Sequence, residues 1–316
     1  MEYFILIAGF ALLIKGADYF VEGASGIAKL LRIPPILIGL TIVAFGTSSP
    51  EAAVSIRSAL NGNNGIALGN VVGSNIFNVS LIIGITAMIN PLKVERETVR
   101  KEIPFTLLSS ILLLILISDV ILQEGSINLI TRGDGLVLAC FFLIFMFYLL
   151  EVALHSREKA EEEGMGAATM GKNSLFTLGG LGSIILGGEL VIRSSVSIAT
   201  ALGMSETLVG LTIVAIGTSL PELITSVTAA LKKKSEIAVG NIVGSNIFNI
   251  LFVLGTSSAL YPIAVDSKIF FDIKVMIIYT VILLIFSRTH HRISREEGFI
   301  LLASYLSYMG YIIMRK

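Results

Sequence analysis

One stretch of this chain is written twice. Gly39-Leu-Thr-Ile-Val-Ala-Phe-Gly-Thr-Ser-Ser-Pro-Glu51 returns as Gly210-Leu-Thr-Ile-Val-Ala-Ile-Gly-Thr-Ser-Leu-Pro-Glu222, with 11 of 13 positions identical. Gly69-Asn-Val-Val-Gly-Ser-Asn-Ile-Phe-Asn78 returns as Gly240-Asn-Ile-Val-Gly-Ser-Asn-Ile-Phe-Asn249, with 9 of 10 identical. The copies are offset by 171 residues in both motifs. A constant offset means that one structural unit occurs twice, so the chain must fold as two similar halves.

The halves are built for lipid. Residues 4–14, 103–118, 134–150 and 275–287 are nearly free of charge. Overall 15% of residues are charged and mean hydropathy is +0.87, whereas a soluble domain carries roughly a quarter charged residues. Apolar runs of about 20 residues are long enough to cross a bilayer. Helices are expected at 3–31, 35–60, 65–89, 102–119, 132–152, 173–202, 206–231, 236–260, 268–287 and 296–314. The first and sixth are long enough to be tilted. Each half then holds five spans. Five is odd, so the second half enters the membrane from the opposite side. The expected fold is an all-α membrane protein of ten transmembrane helices in two inverted five-helix repeats, 1–152 and 173–316, joined by a cytoplasmic linker, 153–172.

Loop charges give an orientation. With the N-terminus outside, the cytoplasmic loops hold 15 Lys and Arg and the outer ones 5. The positive-inside bias predicts a multi-pass cell-membrane protein with both termini outside. The first apolar block lacks a basic leader and a cleavage site, so a retained helix is expected. Formal net charge is zero, which gives nucleic acid nothing to bind. Cys140 sits in an apolar block and is expected to pack there. His155, His290 and His291 are expected in polar loops, so no histidine metal site is expected. Glu161, Glu162 and Glu163 read as solvated linker, since no EF-hand spacing surrounds them.

Glu51 and Glu222 lie inside apolar spans, where an ionised carboxylate costs several kcal/mol. Two of them at matching repeat positions point to function. Pro50 and Pro221 each precede a glutamate and are expected to sit mid-helix, interrupting it opposite Gly46 or Gly217 and freeing backbone carbonyls. Helical spacing puts Ala44, Thr47, Ser48 and Glu51 on one face, and Ala215, Thr218, Ser219 and Glu222 on another. Ser74, Asn75 and Asn78 share a face, as do Ser245, Asn246 and Asn249. All these groups offer oxygen, and none offers sulfur or imidazole, which suits hard cations such as Ca²⁺ and Na⁺. Two carboxylates match one Ca²⁺, or monovalent ions whose shells amide and hydroxyl oxygens complete. Gly69 with Gly73, and Gly240 with Gly244, form GxxxG pairs that permit close helix packing. Asn70 and Asn241 are expected to bond neighbouring backbone. Lys15, Asp18 and Glu22 on the first helix, with Glu189 and Arg193 on the sixth, are expected to pair internally or at the interface.

The paired motifs resemble the two alpha repeats of the cation/calcium exchanger superfamily, most closely those of small prokaryotic members of its sodium/calcium exchanger family. The resemblance covers the whole chain. It implies that Glu51 and Glu222 ligate Ca²⁺ and share Na⁺ sites, and that Thr47 and Thr218 add oxygen ligands to Ca²⁺. Ala44, Ser48, Ser74, Ala215, Ser219 and Ser245 would complete flanking Na⁺ sites. It also implies that the first and sixth helices slide across the other eight. Proton-exchanging relatives usually have Gln where Asn78 and Asn249 stand, and potassium-carrying relatives usually have Asp at the position of Asn249. The asparagine pair therefore looks like the sodium-coupled type. The expectation is a Na⁺/Ca²⁺ antiporter with no enzymatic activity and no cofactor, monomeric in the bilayer. A proton-coupled Ca²⁺ exchanger remains the alternative, since protons compete for the same carboxylates. A channel and an intramembrane acid hydrolase fit inverted repeats and an oxygen ring less well.

Overall fold

The structure, a computed structural model, describes residues 2–122, 124–158, 167–203 and 215–315. It is all-α and about 84% helical. The first half contains α1 (Glu2–Leu31), α2 (Pro35–Thr47), α3 (Ser49–Leu60), α4 (Gly65–Ile89), β1 (Leu92–Lys93), α5 (Arg96–Arg100), α6 (Glu102–Leu116), α7 (Asp119–Leu122), β2 (Leu129–Ile130) and α8 (Arg132–Glu158). The second contains α9 (Ala167–Ala201), α10 (Ala215–Thr218), α11 (Leu220–Leu231), α12 (Ser235–Leu260), β3 (Ile263–Ala264), α13 (Ile269–Arg288), β4 (Arg292–Ile293) and α14 (Arg295–Met314).

Seven of these helices are long and apolar enough to span a bilayer: α1, α4, α8, α9, α12, α13 and α14. The pair α2–α3, bent by 50°, makes an eighth if it is one span. The two other expected spans contain α6 and α11. With 15 residues, α6 is about 22 Å long at 1.5 Å per residue, short of a bilayer core of about 30 Å. The segment preceding α10, 204–214, lies outside the described residues, as do Glu161, Glu162 and Glu163 in the linker.

Polarity runs from the inside out. Phe147, Leu175 and Leu178 are each 69% exposed, while Glu51, Asn75, Glu222 and Asn249 are wholly buried. Outward apolar side chains in such numbers would drive aggregation in water, and lipid solvates them. The most enclosed helix is α12, whose apolar window is 94% buried, against 17% for α8 and α14.

Contacts between the halves exchange under the 171-residue offset. A Cβ at Gly9 would lie 3.0 Å from the carbonyl oxygen of Gly187, and one at Gly187 would lie 2.7 Å from that of Gly9. Gly16 and Gly180 meet in the same way, at 2.9 and 2.7 Å. The offset carries Gly9 to Gly180 and Gly16 to Gly187, so α1 and α9 cross antiparallel, each pair mirroring the other. The strands repeat the pattern. β1 pairs antiparallel with β4 of the second half, and β3, the repeat copy of β1, pairs with β2 of the first.

Packing follows the GxxxG expectation on α12. A Cβ at Gly240 would fall 2.7 Å from Ile36 O, and one at Gly244 2.8 Å from Leu40 O, so α2 rests directly on its backbone. For Gly69 and Gly73 no such close neighbour is found among the described residues.

Two expectations need correction. Cys140 is exposed on the outer face of α8 and is not packed inside. His155 lies within α8, against the Glu151 carbonyl, not in a loop. The expected ion pairing is present for Asp18, Glu22, Glu189 and Arg193. Lys232 Nζ lies 2.7 Å from Asp18 Oδ1 and 3.7 Å from Glu22 Oε2, tying the end of α11 to α1. Arg193 and Glu189 pair at 2.5 Å on α9.

Candidate functional site

The site begins with two helix breaks. Ser48 (φ −82°, ψ 6°) separates α2 from α3, and Ser219 (φ −91°, ψ 6°) separates α10 from α11. The prolines are therefore not mid-helix, as expected from sequence, but open a new helix. There the missing N–H costs nothing, because the first N–H groups of a helix have no intrahelical partner. Glu51 and Glu222 fall in the first turns of α3 and α11, where the positive end of the helix dipole favours a carboxylate.

Each carboxylate is held by the opposite half. Ser48 Oγ donates to Glu222 Oε1 at 2.8 Å, and Ser219 Oγ donates to Glu51 Oε1 at 2.9 Å. Ser219 Oγ also lies 3.2 Å from Ser74 Oγ. The second oxygen of each glutamate, Oε2, is buried with no hydrogen-bond partner among the described residues. No ion pair involving Glu51 or Glu222 is formed among the described residues.

Four asparagines on α4 and α12 close the other side. Asn78 Nδ2 donates to Asn246 Oδ1 at 3.0 Å, and Asn249 Nδ2 to Asn75 Oδ1 at 3.2 Å. Asn75 and Asn246 each donate to the other's backbone carbonyl, at 3.2 and 3.4 Å. The Oδ1 atoms of Asn78 and Asn249 are buried without partners among the described residues, as is Ser245 Oγ. The helix widens here to π geometry, over Asn78–Ile82 and Phe248–Leu254. A third π segment, Gly39–Val43, leads into Ala44. Such segments often mark functional sites, and no residue pattern in the sequence signals them.

The remaining expected residues surround this centre. Thr47 Oγ1 contacts Asn241 Oδ1 at 3.0 Å, and Thr218 Oγ1 contacts Asn70 Oδ1 at 3.5 Å. The amide groups of these asparagines bond Glu222 O and Ser226 Oγ from Asn241, and Glu51 O and Ser55 Oγ from Asn70. Asn70 and Asn241 thus bond backbone, as expected, and in addition reach across to the other half's threonine. Ala44 is fully buried, with its carbonyl accepting from Ser48 N–H at 3.0 Å. Ala215 begins α10. Sequence reasoning passed over Asn75 and Asn246 as ordinary members of the asparagine face. Their signal was present, since each opens an Asn-x-x-Asn pair.

A buried acceptor without a partner costs about 1–3 kcal/mol. Five such oxygens belong to Glu51, Glu222, Asn78, Asn249 and Ser245, two of them on carboxylates. Hard cations of single or double charge fit this donor set. Among the described residues no three of His, Cys, Asp and Glu cluster as a metal site, so most of the available oxygens are neutral. The surface cavities of about 560 Å³ beside Arg96, Arg100 and Arg288, and about 650 Å³ beside Glu95 and Tyr148, reach neither glutamate.

Known proteins resemble this chain over most of its length. The family model for sodium/calcium exchanger protein matches residues 1–151 and 173–314. The sodium/calcium exchanger MaX1 of Methanosarcina acetivorans is 34% identical, over 98% of this chain and 97% of its own. The inner membrane protein YrbG of Escherichia coli is 34% identical, over 88% and 86%. The solved structure of the sodium-calcium exchanger NCX_Mj soaked with 10 mM Na⁺ superposes with a TM-score of 0.86 at 30% identity, covering 98% of both chains.

Proposed function

The chain belongs to the sodium/calcium exchanger family, and from that membership we propose that it is a secondary antiporter exchanging Na⁺ for Ca²⁺ at the centre formed by Glu51 and Glu222. One observation carries the reading: two wholly buried carboxylates, each bonded to a serine of the opposite half, each keep one oxygen without a partner among the described residues. Ca²⁺ lies between Glu51 and Glu222 and cancels their charge, with Thr47 and Thr218 adding oxygen. Na⁺ occupies flanking positions made by Ala44, Ser48, Ser74 and Asn78, and by Ala215, Ser219, Ser245 and Asn249. Because both cations need the same two carboxylates, one set must leave before the other binds, which is the condition for exchange.

Sodium is favoured over protons as the counter-ion by the neutral oxygens. An amide or hydroxyl oxygen completes the shell of Na⁺ but has no useful affinity for a proton at neutral pH. Proton coupling is the second reading, since the two carboxylates alone could take protons. The protein works as ten helices in two inverted halves, N-terminus and C-terminus outside, in the cell membrane. That arrangement is supported by contacts that exchange under the repeat offset and by the loop-charge bias. The glycines of α1 and α9 pack backbone to backbone, so the two helices move as one unit across the others to change access. A single chain supplies the whole site, with no cofactor.

The test is ⁴⁵Ca²⁺ uptake into proteoliposomes. An outward Na⁺ gradient should drive uptake, and Glu51→Gln or Glu222→Gln should abolish it. Uptake driven by a pH gradient without sodium would replace the sodium reading by the proton one.

A further inference from the structure

The four asparagines contain a polarity lock. A main-chain carbonyl oxygen can only accept a hydrogen bond. The end of the Asn246 amide that faces Asn75 O, 3.4 Å away, must therefore be its NH₂. Its other end is then Oδ1, which needs a donor. Asn78, 3.0 Å away, meets it with NH₂. The oxygen of Asn78 is thereby turned away from Asn246, and it is one of the buried atoms with no protein partner. The same logic runs in the other direction. Asn246 O fixes the NH₂ of Asn75, Asn75 Oδ1 fixes the NH₂ of Asn249, and Asn249 Oδ1 is left without a partner.

The lock matters because the terminal torsion of asparagine is broad and roughly two-fold. An unanchored amide facing a cation can present either oxygen, which binds it, or NH₂, which repels it. We propose that Asn75 and Asn246 are positioning residues, each fixing the amide of the other half's Asn249 or Asn78 so that a cation meets oxygen only. This rests on the cation-exchange reading above. The control is crossed: Asn246 of the second half sets the ligand of the first, and Asn75 of the first sets that of the second. It survives truncation of one partner, because Asn75 bonds the backbone of Asn246 and not its side chain.

A set of double-mutant cycles on the Ca²⁺ KM tests this. The single variants Asn246→Ala and Asn78→Ala should each raise KM, and their combination should fall short of the product by about threefold or more, the range for residues acting as one unit. Asn75→Ala with Asn249→Ala should behave alike. The same-half combinations, Asn246→Ala with Asn249→Ala and Asn75→Ala with Asn78→Ala, should multiply. A general loss of packing would not sort the pairs by half. Independent effects in the crossed pairs, or coupling in the same-half pairs, would overturn the proposal. If Asn246→Ala fails to fold, judged by its melting midpoint in detergent, the mirrored cycle on Asn75 and Asn249 decides. Wild-type protein that shows no cation-driven Ca²⁺ uptake defeats the functional reading itself; active wild type with an inactive Glu51→Gln, but independent crossed pairs, defeats only this inference.

Discussion

Ser48 donates its hydroxyl to Glu222, a residue 174 positions away, while the glutamate of its own motif, Glu51, is served by Ser219. Each acid is thus built half from one repeat and half from the other. A change in how the halves dock alters both carboxylates together.

Ser48→Ala should weaken binding without abolishing it. Hydrogen bonds to charged groups contribute about 1.5–3 kcal/mol, so the Ca²⁺ KM should rise by about tenfold or more. Ser219→Ala should do the same through Glu51. Initial-rate uptake across a range of Ca²⁺ concentrations measures this, and an unchanged KM for both variants would remove the serines from the site.

Glu51→Gln should separate stability from function. Two buried carboxylates without a cation are a burden on the fold, since a buried charge lacking an opposite partner is costly. The melting midpoint in chelator should therefore stay level or rise. The upward shift that Ca²⁺ gives to wild type, which grows with ligand concentration over Kd, should vanish. A variant that melts earlier in chelator would show that the charge holds the fold together.

Gly16→Ala should slow transport more than it weakens binding. Its Cβ would sit 2.8 Å from Ser183 Cβ and 2.9 Å from Gly180 O, closer than side chains tolerate, at the contact between α1 and α9. Because the cation site lies elsewhere, kcat should fall several-fold with KM nearly unchanged. A rise in KM alone would argue against a tight α1–α9 seam being needed for the access change.

Glu95, in the loop before α5, gives a pH signature. Burial, together with the nearby Glu236 and Glu102, pushes its carboxyl above the usual range. Between its unfolded and folded values the folded chain holds more protons, so stability falls as pH rises through that interval. Glu95→Gln should raise the melting midpoint at pH 8 and leave it nearly unchanged at pH 4. An equal shift at both values would rule out the charge as the cause.

The sequence by itself determined the all-α membrane character, the doubled unit, the pair Glu51 and Glu222 and the oxygen-rich faces around them. Those features are local: apolar run length and helical spacing are set by neighbours a few residues away. Only the tertiary structure decided that Pro50 and Pro221 start helices, that the helix widens at Asn78 and over Asn249, and that Cys140 faces outward. It alone decided that Ser48 serves Glu222, and that Asn75 and Asn246 spend their amides on each other's backbone while Asn78 and Asn249 keep an oxygen free. These depend on how two halves about 171 residues apart dock antiparallel, and nothing in either copy of the motif says which copy its hydrogen bonds will join.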